Sequence, residues 1–488
     1  MSFARPGPRT YEDAVRVIES RQRRKRPKGT SAGTSAQSTG NSGTPDLRGL
    51  PGITGMREWL DMLGHSPDAI NSLNVIHLAG TKGKGSTCAF TESFLRAHGK
   101  RTGFPQKTGM YTSPHLLRPE ERIRINASPL ATTKFAQYLF EIYDKLPQLA
   151  AEYDPGKSVV DRGPRTLQLY ALLALHTFIR ERVDVAIIET HSGGEYDATN
   201  VVSRPVVTAI TSLGMDHVQT LGPSIENIAW HKGGIYKAGA AALSTKQDPE
   251  PARVLVERAG RVSEDVTFVE EDPALPRGTL QLKPLVQMKN ASLAVAAANA
   301  FLSRTRGHQS QSLDENDVRL GVEQWHWPGR FEILPRDQCT YFVDAAHNDM
   351  SVGIAADWFV ESSREMLASA VRVLVFSHIN ELRDAVGVLS SLAEALRRVD
   401  THMEHVVFTT YAEAESDDAS AAASDLAVFR DTWEQQFPNS RIWLEPTVEG
   451  AIRRVEVVAK QHIAADIHVL ITGSQHLVGP ALRLLSAG

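Results

Sequence analysis

The chain has 488 residues, 42% hydrophobic and 23% charged, which is enough for two or three globular domains. Its 53 Lys+Arg against 57 Asp+Glu leave a formal net charge of −4, which excludes a generally basic nucleic-acid binder. The two cysteines, Cys88 and Cys339, exclude a disulfide scaffold and suit a reducing compartment.

In chain order, a helical pattern covers Tyr11 to Ile18. Arg21 to Lys28 is strongly basic, and Gly29 to Thr44 is almost wholly Gly, Ser, Thr, Ala, Gln and Asn. Such a segment buries too little apolar surface to offset its ordering entropy. A disordered insertion over about 21–46 is therefore expected, its basic run a solvated edge or a nuclear-import signal. The start, Met1-Ser-Phe-Ala-Arg-Pro, carries no signal-peptide apolar region, and Glu12 and Asp13 disfavour a transit peptide.

From Leu73 the pattern alternates between strand and helix. Asn74 to Ala79 reads as a strand and Ser86 to His98 as the helix after it. Thr166 to Arg182 reads as a helix, Val183 to Glu189 as a strand, and Val207 to Leu213 as a third strand. The most apolar stretch, Leu167 to Ile179, is broken by Gln168 and His176 and reads as a buried helix. No run reaches the ~20 apolar residues that span a bilayer. This alternation predicts an α/β fold, a parallel sheet with helices on both faces. Beyond Pro328-Gly329 a second series begins, with strands at Tyr341 to Val343, Val371 to Phe376, His405 to Thr409, Arg441 to Leu444 and His468 to Thr472. Two domains are expected, 1–326 and a smaller α/β domain at 327–488, with the acidic stretch Glu413 to Asp425 as a surface loop or frayed helix.

The sharpest local signal is Gly80-Thr81-Lys82-Gly83-Lys84-Gly85-Ser86-Thr87, which follows a strand and opens a helix. Glycines let backbone N–H groups close around phosphate oxygens, the helix N-terminus adds partial positive charge, and Lys84 can reach terminal phosphates. Ser86 or Thr87 can contact a phosphate-bound Mg²⁺. The strict Walker pattern is not met, because Leu78 stands where its first glycine would be and Gly85 follows the lysine. A plain Gly-rich turn is the competing reading.

This loop resembles the G-T-x-G-K-G-S/T loop of the Mur ligase superfamily. Further segments are similar to the folylpolyglutamate synthase family, in a fungal-like form. They are Lys107-Thr-Gly-Met-Tyr-Thr-Ser-Pro-His-Leu116, Glu121-Arg-Ile-Arg-Ile-Asn126, Gly193-Gly-Glu-Tyr-Asp-Ala-Thr-Asn200, Leu213 to Gly222 with Ile228 to Lys237, Trp327-Pro-Gly-Arg330, Asp344-Ala-Ala-His-Asn348 and Thr472 to Gly479. The resemblance implies a P-loop Mur-ligase-type ATPase domain followed by a smaller Rossmann-like domain. It implies an ATP-dependent ligase in which the γ-carboxyl of a folate glutamate is phosphorylated and the amine of L-glutamate attacks the acyl phosphate. Folate polyglutamates and L-glutamate are then the partners, in a monomer of the cytosol and mitochondria. ATP, Mg²⁺ and a monovalent cation such as K⁺ are the cofactors.

The resemblance also assigns roles. Gly80, Thr81, Gly83, Lys84, Gly85, Ser86 and Thr87 would hold the phosphates. Ser113, Glu189 and His217 match the Mg²⁺ ligands, and Glu189 ends a predicted strand, where α/β sheets place ligands. Lys232 matches a carbamylated lysine, with Lys237 as a nearby, more solvated alternative. Lys84, His217 and Lys232 are the catalytic candidates. Asn290 matches an adenine-side asparagine, Arg330 a phosphate-binding arginine and Asp344 a ribose ligand, so that both domains would contribute to ATP. His347 lies near the expected glutamate site, and Ser113 on the folate side.

Several residues depart from the family pattern. The usual Glu-Val-Gly-x-Gly-Gly is Glu189-Thr-His-Ser-Gly-Gly here, so that His191 either donates a hydrogen bond behind the metal ligand or fills space. Val286 replaces a histidine, Ala345 replaces a glycine, and the segment 377–382 lacks a common Asn-Gln-Gln. Dihydrofolate synthase, or an amide ligase for another carboxylate, is the alternative enzyme. A nucleotide-binding regulator without turnover is the third reading, disfavoured because Lys84, Glu189, His217 and Lys232 are all present.

Overall fold

The computed structural model describes residues 9–22, 51–305, 311–367, 369–378, 385–411 and 419–486. The Gly/Ser-rich segment, most of the basic run before it, positions 379–382 and the first part of the acidic stretch lie outside the described residues. The described chain forms two compact units, divided between Trp325 and His326.

The first unit is built on an eight-stranded sheet. Its strands are β1 (Ile76–Ala79), β2 (Thr108–Tyr111), β3 (Ile123–Ile125), β4 (Ser128–Pro129), β5 (Val185–Glu189), β6 (Val207–Ile210), β7 (Ala241–Thr245) and β8 (Val266–Val269). Their order is β4-β3-β2-β5-β1-β6-β7-β8. From β2 to β8 every pairing is parallel, while β3 and β4 form an antiparallel edge. β1, β2, β5 and β6 are buried at every position, as strands covered on both faces must be. The predicted first three strands are present, but β2, β3, β4, β7 and β8 are additions to the sequence reading.

Helix Lys84–Thr102 starts on Gly83 and stops on Gly103, both in the left-handed region that glycine tolerates. Helices Leu285–Thr305 and Glu315–Glu323 pack along it. There the Phe90 and Trp325 rings stack 4.3 Å apart, and a buried His98 Nδ1 lies 2.9 Å from Asp317 Oδ2. The apolar helix Thr166–Glu181 is buried over most of its length, as its composition predicts.

Arg21 corrects the sequence reading. It is not the solvated edge of an insertion, because only 3% of it is exposed. Its guanidinium donates to the carbonyls of Pro164, Ala151, Gln148 and Arg162 at 3.2, 3.4, 3.0 and 2.9 Å. Helix Tyr11–Ser20, closed at its start by a Thr10–Asp13 capping box, delivers Arg21 to that cage.

The second unit has a six-stranded sheet, ordered β13-β12-β11-β14-β10-β9. The strands are β9 (Glu332–Arg336), β10 (Cys339–Val343), β11 (Val371–Phe376), β12 (His405–Thr409), β13 (Arg441–Glu445) and β14 (Ile467–Thr472). All pair in parallel except β9, an antiparallel edge strand that carries Pro335 where a central strand would not tolerate it. The acidic, Ala-rich stretch ends inside helix Ala419–Glu434.

Candidate functional site

Parallel strands bring their C-terminal ends to one edge of the sheet, the usual place for ligands in such folds. At that edge of the first unit, β1 leads into Gly80–Gly83, β2 into Ser113, β5 ends on Glu189 and β6 leads toward His217. Residues far apart in sequence meet there because β5 and β6 flank β1.

The phosphate loop is held from two sides. The amides of Thr81 and Lys82 donate to the carbonyl of Ser212 at 3.0 and 3.2 Å, and Thr81 Oγ1 donates to the carbonyl of Gly214 at 3.1 Å. Lys82 Nζ lies 3.5 Å from Asp216 Oδ2. Two glycines of the loop are required by their surroundings. A Cβ on Gly80 would sit 1.8 Å from Thr211 Oγ1, and one on Gly83 would sit 2.2 Å from Asn290 Oδ1. Asn290 therefore packs against the loop, and its Nδ2 donates to Gln287 Oε1 at 2.8 Å.

Lys84 opens the helix, with Gly85, Ser86 and Thr87 in its first turn. Its Nζ lies 3.7 Å from Glu189 Oε1. The other oxygen of that carboxylate, Oε2, accepts from the amide of Ser113 at 3.1 Å. Thr87 Oγ1 is buried without a hydrogen-bond partner. Buried hydroxyls and one buried carboxylate are hard oxygen donors, and Mg²⁺ takes one or two protein carboxylates with phosphates and water making up its shell. The residues at this edge thus fit Mg²⁺, although no group of three His, Cys, Asp or Glu side chains is assembled for a metal among the described residues. His217 starts the short helix Val218–Leu221 and is exposed, with its amide on Asp216 Oδ1 at 2.9 Å.

Lys232 is 2% exposed, and its Nζ donates to the carbonyl of Gly80 at 2.6 Å. Burial, reinforced by the Lys84 ammonium, holds its amine well below the ordinary lysine range, against the opposing pull of Asp216 and Asp197. Lys237 is half-buried, with its Nζ 3.4 Å from the carbonyl of Gly234, so it is less solvated than the sequence reading made it.

His191 is also placed by several partners. Its Nε2 lies 2.6 Å from the phenol oxygen of Tyr111, and its Nδ1 lies 3.6 Å from Asp197 Oδ1. Burial keeps the ring below the ordinary histidine value. Asp197, Thr211 and Tyr111 were not singled out from the sequence. Asp197 lies within a quoted motif, but only the fold shows its carboxylate collecting the amides of His191, Ser192 and Thr199 at 3.0, 2.9 and 3.0 Å.

In the second unit, Arg330, Asp344 and His347 converge beside the β9–β10 hairpin. Asp344 is buried, and its Oδ2 accepts from the amide of Phe331 at 3.1 Å. Arg330 Nη1 donates to the carbonyl of Ala345 at 3.3 Å, and His347 Nδ1 lies 2.9 Å from the same oxygen.

No protein-family model matches the chain. The folylpolyglutamate synthase of Neurospora crassa is 37% identical over 453 residues, 88% of this chain and 84% of that protein. The folylpolyglutamate synthase of Saccharomyces cerevisiae (strain FostersO) is 32% identical over 498 residues, 97% of this chain and 86% of that protein. Among solved structures, Mycobacterium tuberculosis folylpolyglutamate synthase complexed with ADP and AMPPCP superposes with a TM-score of 0.70 at 25% identity, covering 89% of this chain and 95% of that one.

Proposed function

This chain belongs to the folylpolyglutamate synthase family, and we propose a division of labour among its residues for the ATP-dependent ligation of L-glutamate to the γ-carboxyl of a folate. The reaction joins two anions, the folate carboxylate and the triphosphate, so the site must neutralise charge where they meet. The observation that carries the reading is the Lys84–Glu189–Ser113 cluster at the end of β1, β2 and β5.

In this reading the phosphates lie on the loop Gly80 to Thr87, held by the first-turn amides of the helix that opens at Lys84 rather than by those of Thr81 and Lys82, which are engaged with Ser212, and Lys84 faces the transferred phosphoryl group. Glu189 and Ser113, with His217, would hold Mg²⁺, which when bound supplies Lewis-acid charge neutralisation on the phosphates. Ser113 also borders the folate carboxylate. Asn290, packed on Gly83, is the adenine-side contact. Arg330 and Asp344 of the second unit serve the ATP phosphates and ribose, and His347 the incoming glutamate. Residues 1–326 would form the ATPase domain and 327–488 the second domain.

Lys232 has a distinct role. An ammonium beside a metal would repel it, whereas a neutral amine can add CO₂ and release a proton, leaving an anionic carbamate. The depressed proton affinity of Lys232 supplies that neutral amine. No helix among the described residues is long and apolar enough to cross a membrane. A monomer acting in the cytosol or mitochondria is the proposed setting.

The test supplies the purified protein with ATP, Mg²⁺, labelled glutamate and either tetrahydrofolate or dihydropteroate. Label on tetrahydrofolate supports the reading. Label on dihydropteroate alone would favour a dihydrofolate synthase.

A further inference from the structure

We propose that His191 is a positioning residue, one that braces the end of β2 against the end of β5 and so sets the Ser113–Glu189 contact. This deepens the proposed function and rests on its assignment of Ser113 and Glu189.

Tyr111 of β2 lies opposite Ile188 of β5 in the parallel pairing. Beyond that point the ladder gives way to two side-chain rungs between the same two chain segments. One joins the Ser113 amide to Glu189 Oε2 at 3.1 Å, and the other joins the Tyr111 phenol to His191 Nε2 at 2.6 Å. Ser113 stands two positions after Tyr111, and His191 two positions after Glu189. A shift in either rung is therefore carried to the other through two peptide units.

The histidine rung is built rather than incidental. Tyr111 is completely buried, and a buried phenol requires a partner. The ring faces that phenol edge-on, at 85° and 5.5 Å between centroids. Asp197 accepts the amides of His191 and Ser192 on one oxygen and faces His191 Nδ1 with the other. That carboxylate favours the Nδ1–H tautomer, which leaves Nε2 to accept from Tyr111. The valine and glycine of the usual family pattern at 190 and 191 provide no such acceptor.

Apart from the Lys84–Glu189 pair, the phosphate loop hangs on partners outside the brace, Ser212, Gly214, Asn290 and Lys232. Loss of the brace should therefore misplace the reacting groups without loosening ATP. The test compares Tyr111→Phe, His191→Leu, the double variant and His191→Gln in steady-state glutamate incorporation. Misplacement of about 1 Å can cost on the order of 10²-fold, so each disruptive single variant is expected to lower kcat by about 10- to 100-fold, with KM for ATP unchanged. The double variant should be no worse than the worse single, because both remove the same rung. His191→Gln, whose amide can take the phenol hydrogen bond, should recover most of kcat.

Multiplying losses in the double variant, or an impaired His191→Gln, would overturn the proposal. So would wild-type kcat in Tyr111→Phe, which decides the matter with His191→Gln if His191→Leu does not fold. Absence of ligase activity in the wild-type protein would instead overturn the proposed function.

Discussion

The Nζ of Lys232 lies 2.6 Å from the carbonyl oxygen of Gly80, which ties helix Ile225–Gly233 directly to the first residue of the phosphate loop. The contact joins two segments more than a hundred residues apart, and it places a buried amine near Lys84. Burial, and after it the Lys84 ammonium, depresses the proton affinity of Lys232.

A pH dependence follows from that depression. The folded state binds fewer protons than the unfolded chain between the lowered value and the usual 10.5. An unmodified Lys232 therefore costs stability in that window, and the cost fades as pH rises toward 10.5. Denaturant midpoints of the wild type, compared with Lys232→Met, should show the wild type gaining relative stability as pH rises from the lowered value toward 10.5. If CO₂ has capped the amine, the two curves stay parallel until the carbamate is removed. Lys232→Ala should lose most activity and regain part of it with added short carboxylates.

Replacing Lys84 with Ala removes a cation 3.7 Å from Glu189. Loss of one preorganised electrostatic contact typically costs about 10²–10³ in rate. Glutamate incorporation should fall by that order while circular dichroism and the melting temperature stay near wild type. Wild-type turnover by the folded variant would remove the phosphate-site assignment.

Glu189→Gln keeps the shape of the side chain and removes its charge. Turnover should fall steeply and half-saturation should move to higher Mg²⁺ concentration. The Ser113 amide can still donate to the glutamine carbonyl, so stability should change little. An unchanged Mg²⁺ titration would show that Glu189 is no ligand.

Arg21→Ala would leave the carbonyls of Gln148, Ala151, Arg162 and Pro164 without their common donor. Each buried acceptor left unsatisfied costs about 1–3 kcal/mol before water enters. A clear drop in melting temperature is expected, with kcat preserved in the protein that remains folded.

Acid should weaken the first unit through His65 and His176, whose ring nitrogens are 2.8 Å apart. Burial, and then the neighbouring His176, push His65 down to about 4, while burial lowers His176 although Glu141 pulls it up. A lowered folded value means that the unfolded chain takes up the proton first. The stability held by this pair is complete above about 6.5 and is lost as pH falls toward 4. Denaturant midpoints across that range should fall less steeply for His65→Gln than for the wild type.

Much of this architecture was legible because it depends on continuous apolar runs. Val371–Phe376 and His405–Thr409 were read with the bounds they have in the structure, since buried parallel strands need apolar residues at nearly every position. β9 escaped because Pro335 and two charged residues mask an edge strand, and β7 because Ala241-Ala242 has weak strand preference. Arg21 was misread because a run of like charges looks solvated, and four carbonyls more than a hundred residues away carry no sequence signal. At the site, the glycines and Lys84 could be found from their local pattern, and Glu189 from the resemblance, supported by its place at the end of a predicted strand. The contact of Asn290 with Gly83 and the Tyr111–His191 rung could not, because they depend on which strands are neighbours.

A single incubation of the purified protein with ATP, Mg²⁺, tetrahydrofolate monoglutamate and L-glutamate, followed by mass measurement of the folate product, tests the ligase activity directly. A ladder of folates is expected, each heavier by one glutamyl unit, with one ADP formed per unit added and both formed about 10²–10³ times more slowly in Lys84→Ala. ATP consumption without any gain in folate mass, or glutamate added equally well by Lys84→Ala, would contradict this expectation.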